Sequence, residues 1–558
     1  MKPQKTKKIQ FDFLDIFMMV SPFMIGLYFE WTACLCSVIF SVVLIKRYIG
    51  TSKLVLPLNL SALSVYILVT GYVVSCFYAI DRYEAFLGVL KFMPTVPFCI
   101  YLYQMDNDRK ASVLRTVPYT GALMTVLAFA LKPWSLFRTY FYNGVRMTGF
   151  FQYANTFAMY LLVGIILILF VQRVKVFHIG ILLVLLFGIF QSGSRTVFVL
   201  TVLMVAAISI YRKEVRKTAL IGFGAVLVCV VAFILITKKY EGVGRFLTTS
   251  LTQSSLVGRI LYYKDAIPVI IKHPFGLGYL GYFYAQSEFQ TGRYIVRFIH
   301  NDFLQIILDV GIVPGLLFIA SVFKNIFSKQ TPVFCRFIII AISMHCMLDF
   351  DLQYLSIFFI LIAAMSFDSC KEKTIKKYER KTFCFFSAVK AIICVYFCVA
   401  LGFYSFGYSD ISYKMFSNNT NIELEMLRNA RTQKELSSVA TKILSHNKNV
   451  ALAYDALAKV AQLNGKYDQM IENKMNAINV AKFNVNEYLD YFRLLESCIN
   501  DPDENRTEEK EMCIKHIKEI PALMQSVMNG ADPLAWKIEE TPNLALTDDM
   551  IEYLEQLE

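Results

Sequence analysis

The stretch IHNDFLQIILDVGIVPGL, residues 299–316, decides the fold, because three polar side chains stand in it where a long apolar run begins. The three are His300, Asn301 and Asp302, and mainly apolar residues follow them. An apolar run of about 20 residues spans a bilayer as a helix. The stretch therefore predicts a membrane-spanning helix over residues 302–323 with a polar cluster at its start. Gly311 and Pro314-Gly315 are expected to loosen or kink this helix.

Similar apolar runs recur along the chain, which has 558 residues, 56% of them hydrophobic and 18% charged. We therefore predict an all-α, polytopic membrane protein with about 12–13 transmembrane helices. A basic start, MKPQKTKK, runs into the first span without a small-residue cleavage site, so no cleavable signal is expected. The predicted spans are 11–29, 32–45, 55–79, 85–103, 113–131, 155–171, 177–191, 196–211, 219–237, 302–323, 334–348, 351–367 and 383–407.

The charged residues predict the orientation of these spans. Alternate loops, such as KRYIGTSK and KEKTIKKYERK, are rich in Lys and Arg, whereas the short turns around Glu30, Asp81, Ser192 and Phe350 have almost none. The positive-inside rule then places the N-terminus in the cytoplasm and the loop 238–301 outside. The net charge is +13, but many of the basic residues border the spans, so no nucleic-acid partner is expected.

The loop 238–301 is basic although it is predicted to lie outside. Loops this long escape the positive-inside rule, which is one interpretation; the other is an anionic ligand held at the outer membrane face. The charged residues are Lys238, Lys239, Arg245, Arg259, Lys264, Lys272, Arg293 and Arg297, with His273 and His300.

Within this loop, residues 254–278 predict an amphipathic helix that Pro274 and Gly276 end. Its apolar positions, at three- and four-residue spacing, are Leu256, Ile260, Tyr263, Ile267 and Ile270. Such a helix can lie along a membrane surface. A GxGxxG pattern follows at residues 276–281, but it lacks the strand and helix of a dinucleotide site, so it predicts a tight turn.

The span after this loop carries polar residues that suit chemistry. Asn301 or Asp302 is a natural helix N-cap, and a neutral His300 beside it can accept a proton as a general base. Charged residues inside membrane helices usually face a cavity, so Asp302, Gln305 and Asp309, at i, i+3 and i+7, are candidate cavity-lining residues. The simpler interpretation is a helix cap with an interfacial His.

Other polar residues stand at predicted outer boundaries. Arg195 follows Ser192-Gly-Ser and is a candidate anion ligand, or an interfacial Arg. Arg259 has planar guanidinium donors that suit a phosphate. Asn155 is a further candidate cavity-lining residue. His345 and Asp349, at i and i+4, suggest a buried structural pair.

Four segments together resemble the O-antigen ligase and polymerase superfamily. They are HNDFLQIILDVGIVPGLL from residue 300, GRILYYKDAIPVIIKHPFGLGYLGYF from residue 258, SGSRT from residue 192 and GFFQYANTFAMYLL from residue 149. They stand in the family's order, and the resemblance covers about residues 140–360.

The resemblance implies a bacterial cytoplasmic-membrane glycosyltransferase with a fold of the C type, within residues 1–407. Such an enzyme moves a glycan from a polyprenyl (undecaprenyl) diphosphate carrier to a glycan, lipid or protein acceptor at the outer face, without a metal or nucleotide cofactor. By motif, His300 matches the family's essential His. Arg195 and Arg259 match positions thought to hold the carrier's diphosphate.

The chain departs from the family in its extension, residues 408–558, which the charge pattern places outside the membrane. Residues 451–484 resemble one tetratricopeptide repeat, and such repeats need neighbours to bury their faces. A small helical array is therefore predicted, which binds an acceptor, a partner protein or the growing glycan, or else covers the loop. The repeat positions that match are Tyr454, Leu457, Ala458, Gly465, Tyr467 and Ala477.

Two questions stay open from the sequence. Ligase and polymerase share these motifs, and only the acceptor differs. A transporter or flippase for lipid-linked oligosaccharides is the alternative function, because intramembrane polar residues also suit transport. We see no internal pseudo-repeats of spans, which transporters of this kind often have. A scaffold role would leave His300 and the basic loop unexplained.

Overall fold

A computed structural model describes residues 12–51, 53–171, 175–217, 220–222, 224, 254–367, 372–375, 379–503 and 506–557. Most of the predicted span 219–237 lies outside the described residues. Lys238, Lys239 and Arg245 of the basic loop also lie outside the described residues.

Helices make up almost all of the first half of the described chain. They are α1 (Phe13–Val20), α2 (Glu30–Thr51), α3 (Leu60–Ser75), α4 (Arg82–Phe92), α5 (Thr95–Leu102), α6 (Asn107–Leu114), α7 (Val117–Leu131), α8 (Ser135–Phe141), α9 (Ala154–Leu169), α10 (Val176–Ser192) and α11 (Arg195–Tyr211).

The second half continues in the same way. Its helices are α12 (Ser254–Lys272), α13 (Gly281–Phe289), α14 (Asp302–Val310), α15 (Ile312–Phe327), α16 (Val333–Cys346), α17 (Leu355–Met365), α18 (Arg380–Ser405), α19 (Ser409–Met415), α20 (Thr420–Asn429), α21 (Gln433–His446), α22 (Ala451–Leu463), α23 (Tyr467–Val480), α24 (Val485–Ile499), α25 (Thr507–Asn529) and α26 (Asp548–Gln556).

Apolar helices of membrane-spanning character confirm an all-α membrane protein. Within the described residues, four helices or consecutive helix pairs are long and apolar enough to cross a membrane: α2, α4–α5, α6–α7 and α18. Eight shorter apolar helices accompany them, and each coincides with a predicted span. They begin at Phe13, Leu60, Ala154, Val176, Arg195, Ile312, Val333 and Leu355.

The span predicted over residues 302–323 is broken rather than continuous. Gly311 has φ +92 and separates α14 from α15. A side chain at Gly311 would lie 2.7 Å from the carbonyl oxygen of Pro274, and Ile312 N donates to that same oxygen at 2.9 Å. The break therefore lets the loop after α12 pack directly against the backbone of the helix.

The GxGxxG segment forms the tight turn that the sequence predicts. Gly276 and Gly278 have φ values of +88 and +83, which glycine adopts without a steric penalty. Leu277 N donates to the carbonyl of Leu308 at 2.7 Å, and Gly278 N donates to that of Asp309 at 3.0 Å. The turn thus satisfies carbonyl groups at the end of α14.

Short strands join two loops that were both predicted to be cytoplasmic. β1 (Leu54–Pro57) pairs antiparallel with β4 (Glu372–Ile375), and β2 (Tyr142–Asn143) pairs with β3 (Arg146–Met147) in a small hairpin. In the first pairing, the strand directly after KRYIGTSK pairs with a strand inside KEKTIKKYERK, which agrees with the placement of both loops on one side of the membrane.

The extension after α18 is helical and contacts the turn before α4 through polar groups. Asp81 is fully buried, caps α4, and accepts hydrogen bonds from Thr420 and, at 3.0 Å, from Asn447. His446 Nε2 lies 2.7 Å from Glu423 Oε2, and its Nδ1 lies 3.7 Å from Asp81 Oδ2. Hydrogen bonds and charge therefore attach α20 and α21, in addition to apolar packing by Leu427 and Ile443.

The predicted repeat segment 451–484 forms two helices, α22 and α23. They are joined at Gly465, which has φ +65. The largest apolar cluster of the protein continues from the membrane helices to Ala456, and a second cluster begins at Ala458. That these helices are tetratricopeptide repeats stays a prediction, as does the division of the chain near residue 407.

Gly276→Ala is expected to destabilise the protein more than Gly144→Ala. Gly144 also has a positive φ, +58, but an added Cβ there meets nothing within 4 Å, whereas at Gly276 it lies 2.7 Å from two backbone atoms. Both variants incur about 1–2 kcal/mol for the left-handed conformation, and Gly276→Ala adds roughly 1–3 kcal/mol for overpacking. Thermal unfolding in detergent measures the difference, and equal midpoints would contradict the close packing.

Attachment of the extension is expected to weaken at alkaline pH. Burial alone would lower the pKa of His446, but hydrogen bonds and charges from Asp81 and Glu423 outweigh it and raise the pKa from 6.5 to about 9. The stabilisation is therefore complete below pH 6.5 and is lost as the pH rises through about 9. Unfolding midpoints at pH 6.5 and 10 measure it. His446→Gln does not titrate and should show a flatter pH dependence; identical curves would contradict the assignment.

Candidate active site at the start of helix α14

His300 stands at the junction between the long loop and α14. Asn301 is the N-cap of α14, and its Oδ1 accepts hydrogen bonds from Phe303 N and Leu304 N at 3.1 Å, which confirms one of the two predicted caps. His300 has φ +55, an uncommon conformation for a residue other than glycine. This turn leaves the imidazole 24% exposed at the start of the helix.

A buried carboxylate, that of Asp349, lies at the centre of the groups around His300. His300 Nδ1 is 3.4 Å from Asp349 Oδ1, and Arg259 Nη2 is 3.7 Å from Asp349 Oδ2. Tyr153 Oη donates to Oδ1 at 2.8 Å, and Asn155 Nδ2 donates to Oδ2 at 2.7 Å. These five residues form the Asp349 cluster.

Neighbouring charges and hydrogen bonds keep the Asp349 carboxyl ionised although it is buried. The residue lies in the turn after α16 and is 1% exposed. Burial by itself would raise its pKa, but His300 and the positive charges of His345 and Arg259 outweigh burial, and the pKa is held well below its usual range. Asp349 is therefore a fixed anion beside His300 and Arg259.

A second His–Asp pair lies behind the cluster and corrects a prediction. The sequence suggested that His345 pairs with Asp349, but His345 Nδ1 contacts Asp351, which also accepts a hydrogen bond from Thr156 Oγ1 at 2.6 Å. The chain leaves α16 at Cys346 and forms a short 3₁₀ turn at Asp351–Gln353, which places Asp351 against His345. Asp349 is thereby left for His300.

The polar face predicted on α14 is buried and hydrogen-bonded within the protein. Asp302 Oδ2 accepts from Leu352 N at 2.9 Å, and Gln305 Oε1 accepts from Ile299 N at 3.0 Å. Asp309 accepts from Gln305 Nε2 at 2.8 Å and from Tyr72 Oη at 3.0 Å. These bonds join α14 to the turn after α16, to the preceding loop and to α3.

The turn that carries Arg195 reaches the Asp349 cluster through a residue that sequence reasoning missed. Arg195 is the first residue of α11 and is half-buried. Arg146, from the β2–β3 hairpin, donates to the carbonyl of Ser192 at 2.8 Å and to Asn155 Oδ1 at 2.6 Å. Arg146 thus connects the Ser192–Ser194 turn with Asn155.

Tyr263 holds two of the loops together. Its hydroxyl lies 2.6 Å from the carbonyl of His300 and 3.0 Å from that of Met347. Asn301 Nδ2 also donates to the carbonyl of Met347, at 3.2 Å. These contacts position His300 beside the turn that bears Asp349.

Residues 179–319, about a quarter of the chain, match the family model described as O-antigen ligase. This match supports an O-antigen ligase/polymerase superfamily protein. The match confirms the resemblance to this superfamily and contains three of the four segments, those from residues 192, 258 and 300, whereas GFFQYANTFAMYLL from residue 149 lies before it. The family implies glycosyl transfer of the ligase or polymerase type. No curated protein matches the chain.

The matched segment runs from α10 into α15. It contains Arg195, Arg259 and His300, the three residues assigned from the resemblance. Asn155, Tyr153 and Asp349 lie outside it. Their membership in the cluster depends on contacts between residues far apart in the chain, for which the sequence carries no spacing signal.

Tyr263→Phe is expected to loosen the junction before α14. Loss of the hydroxyl removes a net stabilisation of about 1 kcal/mol, so amide exchange at residues 298–303 and 347–350 should accelerate about fivefold. Hydrogen–deuterium exchange with mass spectrometry measures the change. Tyr262→Phe is the matched control, because Tyr262 packs on Tyr294 through its ring, with centroids 4.5 Å apart. Equal exchange in both variants would contradict the proposed role.

Proposed function

We propose that this protein transfers a glycan from a polyprenyl (undecaprenyl) diphosphate carrier to an acceptor at the outer face of a bacterial cytoplasmic membrane. It does so as a ligase or polymerase in cell-surface polysaccharide synthesis. The observation that carries this proposal is the Asp349 cluster, in which a His from the loop–helix junction and an Arg from α12 share one buried carboxylate.

The cluster suits attack by a sugar hydroxyl on an anomeric carbon. His300 accepts the proton of the acceptor hydroxyl as its oxygen forms the new glycosidic bond. The bond from the anomeric carbon to the diphosphate oxygen breaks, and its electron pair leaves with the diphosphate. The neighbouring Asp349 carboxylate stabilises the imidazolium that results.

The arginines suit the leaving group. Negative charge grows on the carrier diphosphate as the bond breaks, and guanidinium groups placed beforehand stabilise it. Arg259 has five N–H donors, and its approach to Asp349 leaves others to bind phosphate oxygens. We propose that Arg195 adds a second positive charge, since its turn is connected to the cluster through Arg146.

Exposed apolar side chains on α12 support a lipid-bound substrate. Ile260, Ile267 and Ile271 are 47%, 55% and 73% exposed, and Phe275 just beyond the helix is 74% exposed. The opposite face, including Leu261 and Val269, is buried. Two residues of the apolar face predicted from sequence, Ile260 and Ile267, are thus exposed. We infer that this outer face of α12 contacts acyl chains beside Arg259.

Contacts between the loops support the proposed sidedness. The turns predicted to lie outside all lie at the long loop, the cluster or the extension. Glu30 Oε1 accepts from Tyr279 Oη at 2.9 Å, Asp81 binds Asn447, Ser192 binds Arg146, and Phe350 packs on His300 with centroids 5.1 Å apart. We therefore place the cluster and the extension outside, and the N-terminus in the cytoplasm.

His300→Ala is expected to lower glycan transfer by about 10²–10⁴-fold, the usual contribution of a general base. Arg259→Ala should cost about 10²–10³-fold, and Arg259→Lys should recover only part of it, because an ammonium lacks the planar pair of donors. Purified protein in nanodiscs with a polyprenyl-diphosphate glycan, with and without added acceptors, is assayed by gel and mass spectrometry.

The matched controls are His273→Ala and Lys272→Ala, at the end of α12 and outside the Asp349 cluster, which should retain activity. A ladder of longer lipid-linked glycans, lost in His300→Ala, means polymerase, and a single transfer to an added acceptor means ligase. Full activity in His300→Ala would refute the mechanism. Movement of lipid-linked sugar across vesicles, without transfer, would indicate a transporter instead.

A further inference from the structure

A second cavity lies between the membrane helices and the extension, apart from the Asp349 cluster. Its volume is about 380 Å³, within the range of roughly 300–1,000 Å³ that small-molecule pockets occupy. Its lining combines aromatic, charged and amide side chains from both parts of the chain. They include Tyr28, Glu30, Trp31, Arg297, Tyr404 and Glu425.

Arg297 is the feature of this cavity that the fold leaves unexplained. Within the described residues its guanidinium makes no hydrogen bond or close ion pair, although it interacts electrostatically with the carboxylates of Glu30 and Glu84. Its Cζ lies 5.9 Å from the centroid of the Phe298 ring. The carboxylates of the cavity have other partners, since Glu30 lies 3.7 Å from Lys91 and Glu425 lies 3.0 Å from Arg428. The guanidinium of Arg297 therefore lines the cavity near two carboxylates, and its N–H donors make no hydrogen bond to either of them.

Trp31 gives a second, independent sign of a ligand. Its Nε1 is buried and makes no hydrogen bond within the described part of the chain. A buried N–H without an acceptor is unfavourable, because the group has lost its hydrogen bonds to water. An indole and two tyrosine rings also provide flat apolar surfaces beside hydrogen-bonding groups. Sugar rings have this combination of apolar C–H faces and hydroxyl edges.

The cavity is next to the proposed catalytic residue. Arg297 and His300 stand three residues apart in the same loop. The Phe350 ring packs against two residues of this loop, with its centroid 5.5 Å from that of Phe298 and 5.1 Å from that of His300. Tyr28 in the cavity packs on Tyr354 at 4.8 Å, and Tyr354 stacks on Phe350 at 6.4 Å. A continuous aromatic wall thus separates the cavity from His300.

We propose that this cavity is a saccharide subsite, which binds a sugar ring of the glycan that His300 acts on. Arg297 donates to hydroxyl or carboxylate oxygens of the sugar, and Trp31, Tyr28 and Tyr404 contact its faces. The extension contributes Glu425 to the lining, so the subsite is complete only when the extension is attached. This inference rests on the proposed function, and it concerns a sugar of either the donor or the acceptor.

Trp31 supplies a direct measurement of binding. The chain has three tryptophans, and the other two, Trp134 and Trp536, are 58% and 46% exposed. The variant W134F/W536F therefore leaves Trp31 as the only indole. Full-length protein in nanodiscs, also carrying His300→Ala to prevent turnover, is titrated with two probes. One is lipid-free oligosaccharide released from the source cell's own surface polysaccharide, and the other is the polyprenyl-diphosphate glycan.

A saturable change of Trp31 emission is expected, and Arg297→Ala should raise the apparent Kd about tenfold, with Arg297→Lys between the two. Arg493→Ala, at an exposed arginine of the extension, is the matched control and should leave the Kd unchanged. A response to lipid-free oligosaccharide identifies a free glycan chain as a ligand. A response to the lipid-linked glycan alone assigns the subsite to the donor.

If neither probe produces a saturable response, the proposed subsite is wrong. It is also wrong if W31F/W536F, in which Trp134 is the remaining indole, responds equally. These outcomes are separate from failure of the proposed function. That function fails if His300→Ala retains full transfer, whatever Trp31 reports, and it stands if transfer is lost while Trp31 gives no response.

Discussion

The carboxylate of Asp349 is buried and ionised, and a buried charge is tolerated only where opposite charges and hydrogen-bond donors surround it. Those partners come from the start of α9, from α12 and from the junction before α14. The burial of one carboxylate thus requires distant parts of the chain to meet at one point. Removing a single partner would leave charge uncompensated, so the arrangement has few alternatives.

Close backbone packing holds this meeting point in place. Gly276 and Gly311 let the loop after α12 approach the break between α14 and α15 without intervening side chains. Buried hydrogen bonds from Asp302, Gln305 and Asp309 then join α14 to the segments on either side of it. A reactive His needs such a rigid surround, because small displacements of a catalytic group cost much of its effect.

The extension is attached through polar groups, and this has consequences for the space it encloses. Asp81 and Glu423 hold His446 by charge, and Glu84 Oε1 accepts hydrogen bonds from Asn419 at 3.2 Å and Asn421 at 2.8 Å. The cavity containing Arg297 and Trp31 lies along the same contact. These polar contacts accompany the apolar cluster that continues into the extension, and they place hydrogen-bonding groups near the cavity, as a sugar requires.

The sequence by itself determined the elements whose signals are local. Apolar runs predicted the membrane helices, Asn301 predicted the start of α14, and the glycines at residues 276 and 278 predicted the tight turn, because hydropathy, capping and φ depend on neighbours in the chain. Local spacing also gave one wrong prediction, the pairing of His345 with Asp349. Residues four apart face each other only while the helix continues, and α16 ends at Cys346.

Only the tertiary structure decided which distant side chains meet. Asp349 joins Arg259, His300, Tyr153 and Asn155 although long stretches of chain separate them, and Arg297 and Trp31 line one cavity although they are far apart in the sequence. The sequence predicted a kink near Gly311, and only the structure showed that the backbone of Pro274 packs against it. Such contacts depend on compensation of charge and exclusion of volume across the whole fold, which no periodicity along the chain records.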